Sequence, residues 1–439
     1  MKSPDSTASF RDRIASADFT MAVIGIGRVG LPLALSFADQ GVRVLGVDRN
    51  PTHVDKVNAG ILPFMEQGAE PLLKETLDLG TFRATTDSEG AVREADVVVL
   101  TVGTPLDTDL RADTSQLISA LGEIGPAVKP GTLVITRSTI SPGTTERVVV
   151  PTLEELSGLK VGDSLYVAFC PERIAEGKAV EELRELPEII GGLNEESTDL
   201  AAALFQLLSA DKLIHRTDPL SAELAKLFTN VYRYVNFALA NEYALIAEHY
   251  ERDAHHIIRT LRDGYDRAPI PLPGPAGGPC LSKDGYFLIE ELTFPDFVLT
   301  AWKLNDSVPA HLVQRLKAAI RRNGTRLDNT KVTVLGKAFK ADIDDDRLSP
   351  AVRVVELLER LGAEVAVHDP YLSDLPLDEA LRGAHGVILA TNHSMYYKLD
   401  MARLAELVDP ECVLVDAWGV FDPAKAAELG LELNTFGRG

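Results

Sequence analysis

Cysteine is scarce, with three residues in a chain of 439. That excludes a disulfide-stapled scaffold and leaves each cysteine as buried filler or a working thiol. Long apolar runs are missing as well: no stretch reaches the roughly 18 residues that a membrane span needs. The opening segment MKSPDSTASFRDRIASAD carries no hydrophobic region of the signal-peptide kind, so a cytoplasmic chain is expected. Basic residues are outnumbered, 44 Lys and Arg against 65 Asp and Glu, for a net charge of −21. This balance argues against nucleic acid, whose phosphates are held by clustered cations. A small anionic ligand stays open, because helix N-termini and a few local cations can hold phosphate on an acidic protein. The remainder is ordinary soluble material, 45% hydrophobic and 25% charged, long enough for two or three domains at roughly 150 residues each.

Residues 1–18 read as a flexible arm. Residues 19–212 alternate apolar runs with helical patterns: TMAVIGIG (20–27), VRVLGVD (42–48), ADVVVLTVG (95–103), GTLVITRST (131–139), LYVAFCPE (165–172) and LPEIIGG (186–192). Such alternation implies a parallel sheet with helices on both faces. A central helical segment, 213–308, follows. From Asp218 to Arg252 there is no Gly and no Pro but Pro219. Leu224, Leu227, Phe228, Val231, Val235, Leu239, Tyr243 and Ile246 recur at helical spacing. This predicts one long helix with Pro219 in its first turn. A Pro/Gly-rich loop, APIPLPGPAGGPC, covers 268–280. A second α/β pattern fills 309–439, with apolar runs at 331–339, 363–369, 386–391 and 412–418. The fold class is therefore α/β, two Rossmann-like doubly wound domains joined by the long helix and its helical segment.

Gly25-Ile26-Gly27-Arg28-Val29-Gly30 fits G-x-G-x-x-G. It follows a strand, opens a helix, and precedes a second strand ending in Asp48, at about the 20-residue spacing of the dinucleotide fingerprint. Gly25 serves the tight turn, Gly27 the approach of pyrophosphate, and Gly30 close helix–strand packing. Asp48 would accept hydrogen bonds from a ribose and repel a 2′-phosphate, which favours NAD over NADP; the adjacent Arg49 works slightly against that. Gly103-Thr104 and Ser138-Thr139 end neighbouring strands, at the sheet edge where ligands bind.

In Gly277-Gly278-Pro279-Cys280-Leu281-Ser282-Lys283-Asp284 a cysteine sits at a Gly-rich turn just before an amphipathic run. A helix N-terminus and a neighbouring Lys283 both favour a thiolate, which makes Cys280 a candidate nucleophile. Cys170 and Cys412 lie within apolar strands and read as inert.

These motifs, in this order from about Met21 to Phe421, resemble the UDP-glucose/UDP-N-acetylhexosamine 6-dehydrogenase family. The similarity takes in the G-x-G-x-x-G start, V-G-T-P, S-T-I-x-P-G-T-T (138–145), P-E-R-I-A-E-G (171–177), Lys226-x-x-x-Asn230, G-G-x-C-x-x-K-D and F-K-x-D…R-x-S-P (339–350). The resemblance implies NAD-dependent oxidation of a sugar C6 alcohol to a carboxylate through a thiohemiacetal and a thioester on Cys280. It implies Lys226 and Asn230 as oxyanion stabilisers that also touch the sugar, and Asp284 as a water-organising acid. Glu172 and Glu176 would bind sugar and activate water. Glu176 and Lys283 would also contact the cofactor. Arg173, Gly277, Gly278, Phe339, Lys340 and Arg347 would contact the UDP-sugar. Arg267 would reach the partner subunit's substrate in a homodimer built on the long helix. No metal, membrane or nucleic acid is called for.

The sugar is less plainly written. Arg173 is typical of members acting on UDP-N-acetylhexosamines, whereas Ala175-Glu176-Gly177 and Lys283 are typical of the UDP-glucose group. Asp416-Ala417-Trp418-Gly419 lacks the arginine of the glucose group's D-G-R. UDP-N-acetylmannosamine is favoured over UDP-N-acetylglucosamine, with UDP-glucose as runner-up. A single-step β-hydroxyacid dehydrogenase would share the NAD domain and long helix but leave Cys280 and the second α/β domain without a task. A catalytically silent nucleotide-binding regulator would leave the acid, base and nucleophile set unused.

Overall fold

Among the described residues, thirteen short strands, most of them all but fully apolar, collect into two sheets. A computed structural model describes residues 5–328 and 330–439. It divides into two compact units. The first runs to Thr229 and takes in Tyr286–Glu291; the second comprises Asn230–Gly285 and Leu292–Gly439. The long helix, Pro219–His249, and the helix Leu281–Ile289 both run through the division.

The first unit holds β1 (Thr20–Ile24), β2 (Arg43–Val47), β3 (Phe82–Thr85), β4 (Val97–Leu100), β5 (Leu133–Thr136), β6 (Tyr166–Phe169), β7 (Glu188–Gly192) and β8 (Ile214–Thr217). They are ordered β3-β2-β1-β4-β5-β6-β7-β8. The central strands are buried along their whole length, which is why they read as unbroken apolar runs. Separate cores pack on the two faces, one around Leu33, Phe37 and Phe205, the other around Leu100, Leu121 and Phe169.

The expected all-parallel order fails at one place. Strand β7 runs antiparallel to β6. The connection contains only a seven-residue helix, Ala179–Glu185. The chain re-enters at the edge it left, so Arg137 after β5, Glu172 after β6 and Glu188 opening β7 meet at one end.

The expected flexible arm is also corrected. Asp5–Ala15 is a helix. Phe10 and Ile14, one turn apart, are buried in the core that also holds residues of the helix Glu195–Gln206. Arg13 binds Asp96 at 2.8 Å. Residues 1–4 lie outside the described residues.

The second unit holds β9 (Lys331–Leu335), β10 (Glu364–His368), β11 (Gly386–Leu389), β12 (Val413–Asp416) and β13 (Glu432–Thr435), all parallel, in the order β10-β9-β11-β12-β13. Here the acidic residue after the second strand has a different fate from Asp48. Asp369 is wholly buried and accepts from the amides of Lys337, Ala338 and Tyr371 and from the ring of His393. Burial opposes its charge, yet His393 and the three amides hold it well below the usual carboxylate range. Burial keeps this carboxylate from a ribose, so the repeat of the fold does not repeat the ligand site.

Candidate active site

In the first unit the glycine turn is built as its sequence requires. Gly25 has φ +94°, where only glycine is unstrained. A Cβ on Gly30 would overlap the carbonyl oxygen of Gly25, so the following helix, Gly30–Asp39, can approach the turn only without a side chain. A Cβ on Gly27 would meet nothing, because Gly27 faces an open cleft. That cleft, about 270 Å³, is lined by Gly25, Gly27, Asp48, Arg49, Thr101, Gly103 and Gln116, among others. The helix carries no side-chain cap at its N-terminus, and although the Leu31 amide already donates to the Gly27 carbonyl, the positive end of its dipole faces the turn, where an anion is favoured. These features fit a dinucleotide's pyrophosphate and ribose. Asp48 is half-buried and already accepts from the Asn50 amide at 3.0 Å. Arg28 stacks over Phe64 at 5.2 Å. Val29 precedes the helix.

The strand ends expected to line the cofactor are tied to one another. Thr104 donates to the Thr139 carbonyl at 2.6 Å, and Ser138 to the Val102 carbonyl at 2.7 Å. Two residues with no motif complete the cradle: Thr101 donates to the Gly25 carbonyl at 2.7 Å, and His53 bonds the Ile26 carbonyl at 2.8 Å. Glu223, buried on the long helix, accepts from the Gly143 and Thr145 amides and the Thr145 hydroxyl. It thereby fastens the S-T-I-S-P-G-T-T segment to the helix one turn before Lys226.

Beyond β6, Glu172 is buried against Arg137, whose Nε donates at 2.8 Å. Its other oxygen accepts from the Ile174 amide at 2.7 Å. Burial pushes the Glu172 carboxyl up, but Arg137, the amide and the charge of Lys226 outweigh it and hold the group below its ordinary value. Lys226 is itself buried; a solvated surface lysine it is not. Arg173 donates to the Pro187 carbonyl. The A-E-G turn, which places Glu176 half-buried, is clamped by Glu66, which accepts from the Gly177 and Ala179 amides.

In the second unit, Asp284 is wholly buried between two donors: Asn230 at 2.6 Å and Lys283 at 2.8 Å. The Lys283 ammonium is thus shared with the acid beside it. Cys280 is exposed at the N-terminal end of the helix Leu281–Ile289, while residues 273–278 of its loop are buried. The loop is wedged in place. A Cβ on Gly277 would come within 2.5 Å of Pro350, and one on Gly278 within 2.5 Å of the Phe339 ring. The Gly278 amide donates to the Leu348 carbonyl at 3.0 Å. The G-G-x-C and F-K…R-x-S-P motifs, far apart in sequence, are therefore one packed structure.

In that structure Lys340 is exposed, and Arg347 is held bidentate by the buried Asp345 at 2.6–2.9 Å. Asp342 and Leu348 both adopt φ > 0, strain of the kind that collects at binding segments. Trp418 packs on Gly274 in the middle of the loop and donates to the Ala390 carbonyl. Arg267 is exposed, with its guanidinium over Tyr265. Cys170 and Cys412 are buried, and burial pushes both thiols up, away from reactivity.

Three family models match in chain order. They are the NAD-binding, central and UDP-binding domains of the UDP-glucose/GDP-mannose dehydrogenase family, over residues 19–209, 220–308 and 333–423. The chain belongs to this family. It is an NAD-dependent UDP-sugar dehydrogenase. The UDP-N-acetyl-D-mannosamine dehydrogenase of Pyrococcus horikoshii is 34% identical, over 95% of this chain and 99% of that protein. The protein of the same name from Methanocaldococcus jannaschii is 36% identical, over 90% and 91%. The solved P. horikoshii structure superposes with a TM-score of 0.90 over 96% of this chain and 99% of that one, at 33% identity. A UDP-glucose dehydrogenase structure from Pyrobaculum islandicum gives 0.84 at 29% identity, over 96% and 98%.

Proposed function

We propose that this dehydrogenase oxidises the C6 hydroxyl of a UDP-N-acetylhexosamine, UDP-N-acetyl-D-mannosamine first, to the carboxylate, through covalent intermediates on Cys280. One observation carries the reading: an exposed cysteine at a helix N-terminus, on a loop that only glycines allow to pack against the UDP-binding segment. The C6 alcohol first loses a hydride and its proton to become an aldehyde. The Cys280 thiolate adds to the carbonyl carbon, forming a C–S bond and a thiohemiacetal. Loss of a second hydride leaves a thioester. Water then attacks, the C–S bond breaks, and thiol and carboxylate result. The covalent bond keeps the aldehyde from escaping. NAD, when bound, takes up one hydride in each oxidation.

The chain's own residues share the rest. Lys226 stabilises the oxygen at C6 as it gains charge, and Asn230, one helical turn on, faces the same side. Glu172, held ionised, accepts the proton of the attacking water. Glu176 assists at the sugar and the cofactor. Asp284, fixed by Asn230 and Lys283, orders that water. Lys340, Arg347 and Phe339 hold the UDP.

Asp48 reads the adenosine ribose. Hydrogen bonds to a charged group contribute about 1.5–3 kcal/mol. Asp48→Ser is therefore expected to raise KM for NAD about tenfold or more and to narrow the NAD-over-NADP preference. An unchanged cofactor ratio in steady-state assays would place the ribose elsewhere.

The N-acetyl assignment is supported by Arg173, by relatives that carry that name over their whole length, and by Trp418, which offers no guanidinium to a sugar hydroxyl. NADH formation is to be compared at equal UDP-N-acetylmannosamine, UDP-N-acetylglucosamine and UDP-glucose. One N-acetyl sugar is expected to lead by about tenfold or more in kcat/KM; a lead for UDP-glucose would overturn the sugar and leave the reaction. A homodimer is part of the same reading. Phe228, Tyr232, Leu239, Tyr243 and Ile246 stand exposed on the long helix at 3–4–7 spacing, a stripe that suits pairing with a second copy. Arg267 would then serve the partner's site. A cytoplasmic location belongs here too, because a reactive thiol survives poorly where disulfides form.

A further inference from the structure

Buried charge is concentrated at one point that no motif marks. Arg137, immediately after β5, is almost fully buried. Its Nε donates to Glu172 at 2.8 Å, and its Nη1 to Glu188 at 3.0 Å and to the Cys170 carbonyl at 3.4 Å. The ring of Phe205 lies 4.8 Å beneath the guanidinium. Held on these sides, Arg137 has no freedom to swing, and it fixes the carboxylate it grips.

We propose that Arg137 is a positioning residue for Glu172, orienting its carboxylate and keeping it in the ionised, proton-accepting form. The inference rests on the proposed role of Glu172. The two carboxylates on Arg137 differ. Glu172 also has the Ile174 amide and Lys226 nearby, whereas Glu188 is driven up by burial despite Arg137. The other charged groups facing the cluster are Lys212, pushed down by burial with its ammonium bonded to the Leu183 and Leu186 carbonyls, and Arg173 on the Pro187 carbonyl. Arg137 is thus the cation in direct contact with Glu172. A positive neighbour lowers a carboxyl pKa; its removal raises it, so a base that must be ionised fails first at low pH.

The test is the pH profile of kcat for NADH formation from the UDP-sugar, in the full-length enzyme. Arg137→Met is expected to move the acidic limb upward by about one to three pH units, with activity lost at neutral pH and regained in alkaline buffer. Arg137→Lys keeps a cation and should shift the limb less. Glu188→Gln leaves Glu172 as the one carboxylate on Arg137 and should retain kcat without moving the limb up. An acidic limb unmoved in both Arg137 variants, with kcat lowered equally at every pH, would overturn the proposal. Should Arg137→Met not fold, an unmoved limb in Arg137→Lys has the same force. Glu172→Gln separates this from failure of the underlying reading: a loss of about 10²- to 10⁴-fold is expected of a general base, and full activity would remove Glu172 from the mechanism whatever Arg137 does.

Discussion

Replacing Cys280 by serine is expected to abolish the carboxylate product while leaving the fold intact. Serine keeps the size and the helix-start position, but its hydroxyl is not ionised at neutral pH as a thiol can be. With no thiohemiacetal there is no thioester, and the second oxidation has no covalently held substrate. Removal of a catalytic nucleophile costs on the order of 10⁴-fold or more in kcat. The side chain is exposed and the loop is held by Gly277 and Gly278 rather than by the sulfur. Thermal unfolding should therefore shift by no more than an ordinary surface substitution, within about 0.5 kcal/mol. NADH formation and a melting curve on the same sample give both readouts. A variant that still makes carboxylate at near the parent rate would return Cys280 to the inert class of Cys170 and Cys412.

Lys226→Met carries the second large effect. The methionine matches the stem and removes the charge. If Lys226 stabilises the oxygen at C6, the loss falls on the transition state, and kcat should drop about 10²- to 10³-fold with little change in KM. Lys226 also contributes to holding Glu172 below its ordinary value. Its removal should therefore move the acidic limb of kcat upward as well, by less than loss of Arg137, since Lys226 is the weaker influence on Glu172. A rise in KM with kcat unchanged would make Lys226 a binding residue only.

What the sequence made legible follows from how each element earns its signal. Strands β1, β4, β5 and β6 are buried on both faces, so they appear as continuous apolar runs. The three strands that escaped, FRAT (β3), IHRT (β8) and ELNT (β13), are sheet edges. An edge needs only part of its surface apolar, and four-residue segments of that kind carry no period. The N-terminal helix escaped because Phe10 and Ile14 are the large apolar residues in an otherwise small and polar stretch, too few to set a period. The reversal at β7 is a matter of strand direction, which periodicity does not measure.

The site divides the same way. The fingerprint glycines and Cys280 carry local signals on single elements, whereas Lys226 and Asn230 were legible only through the resemblance to the family. Arg137, Glu188 and Glu223 act across elements. Arg137 and Glu188 are brought together only by the antiparallel return of β7, and Glu223 meets Thr145 only through packing of the long helix. No local pattern announces such partners. Wedging of Gly277 and Gly278 against Pro350 and Phe339 is likewise a tertiary fact.

The central claim is a four-electron oxidation through Cys280, and the direct measurement is NADH formed per sugar consumed, run to completion with the preferred UDP-sugar. The account requires two NADH per sugar, with a carboxylate product and no aldehyde in solution. One NADH per sugar, with aldehyde released, would contradict the thioester route.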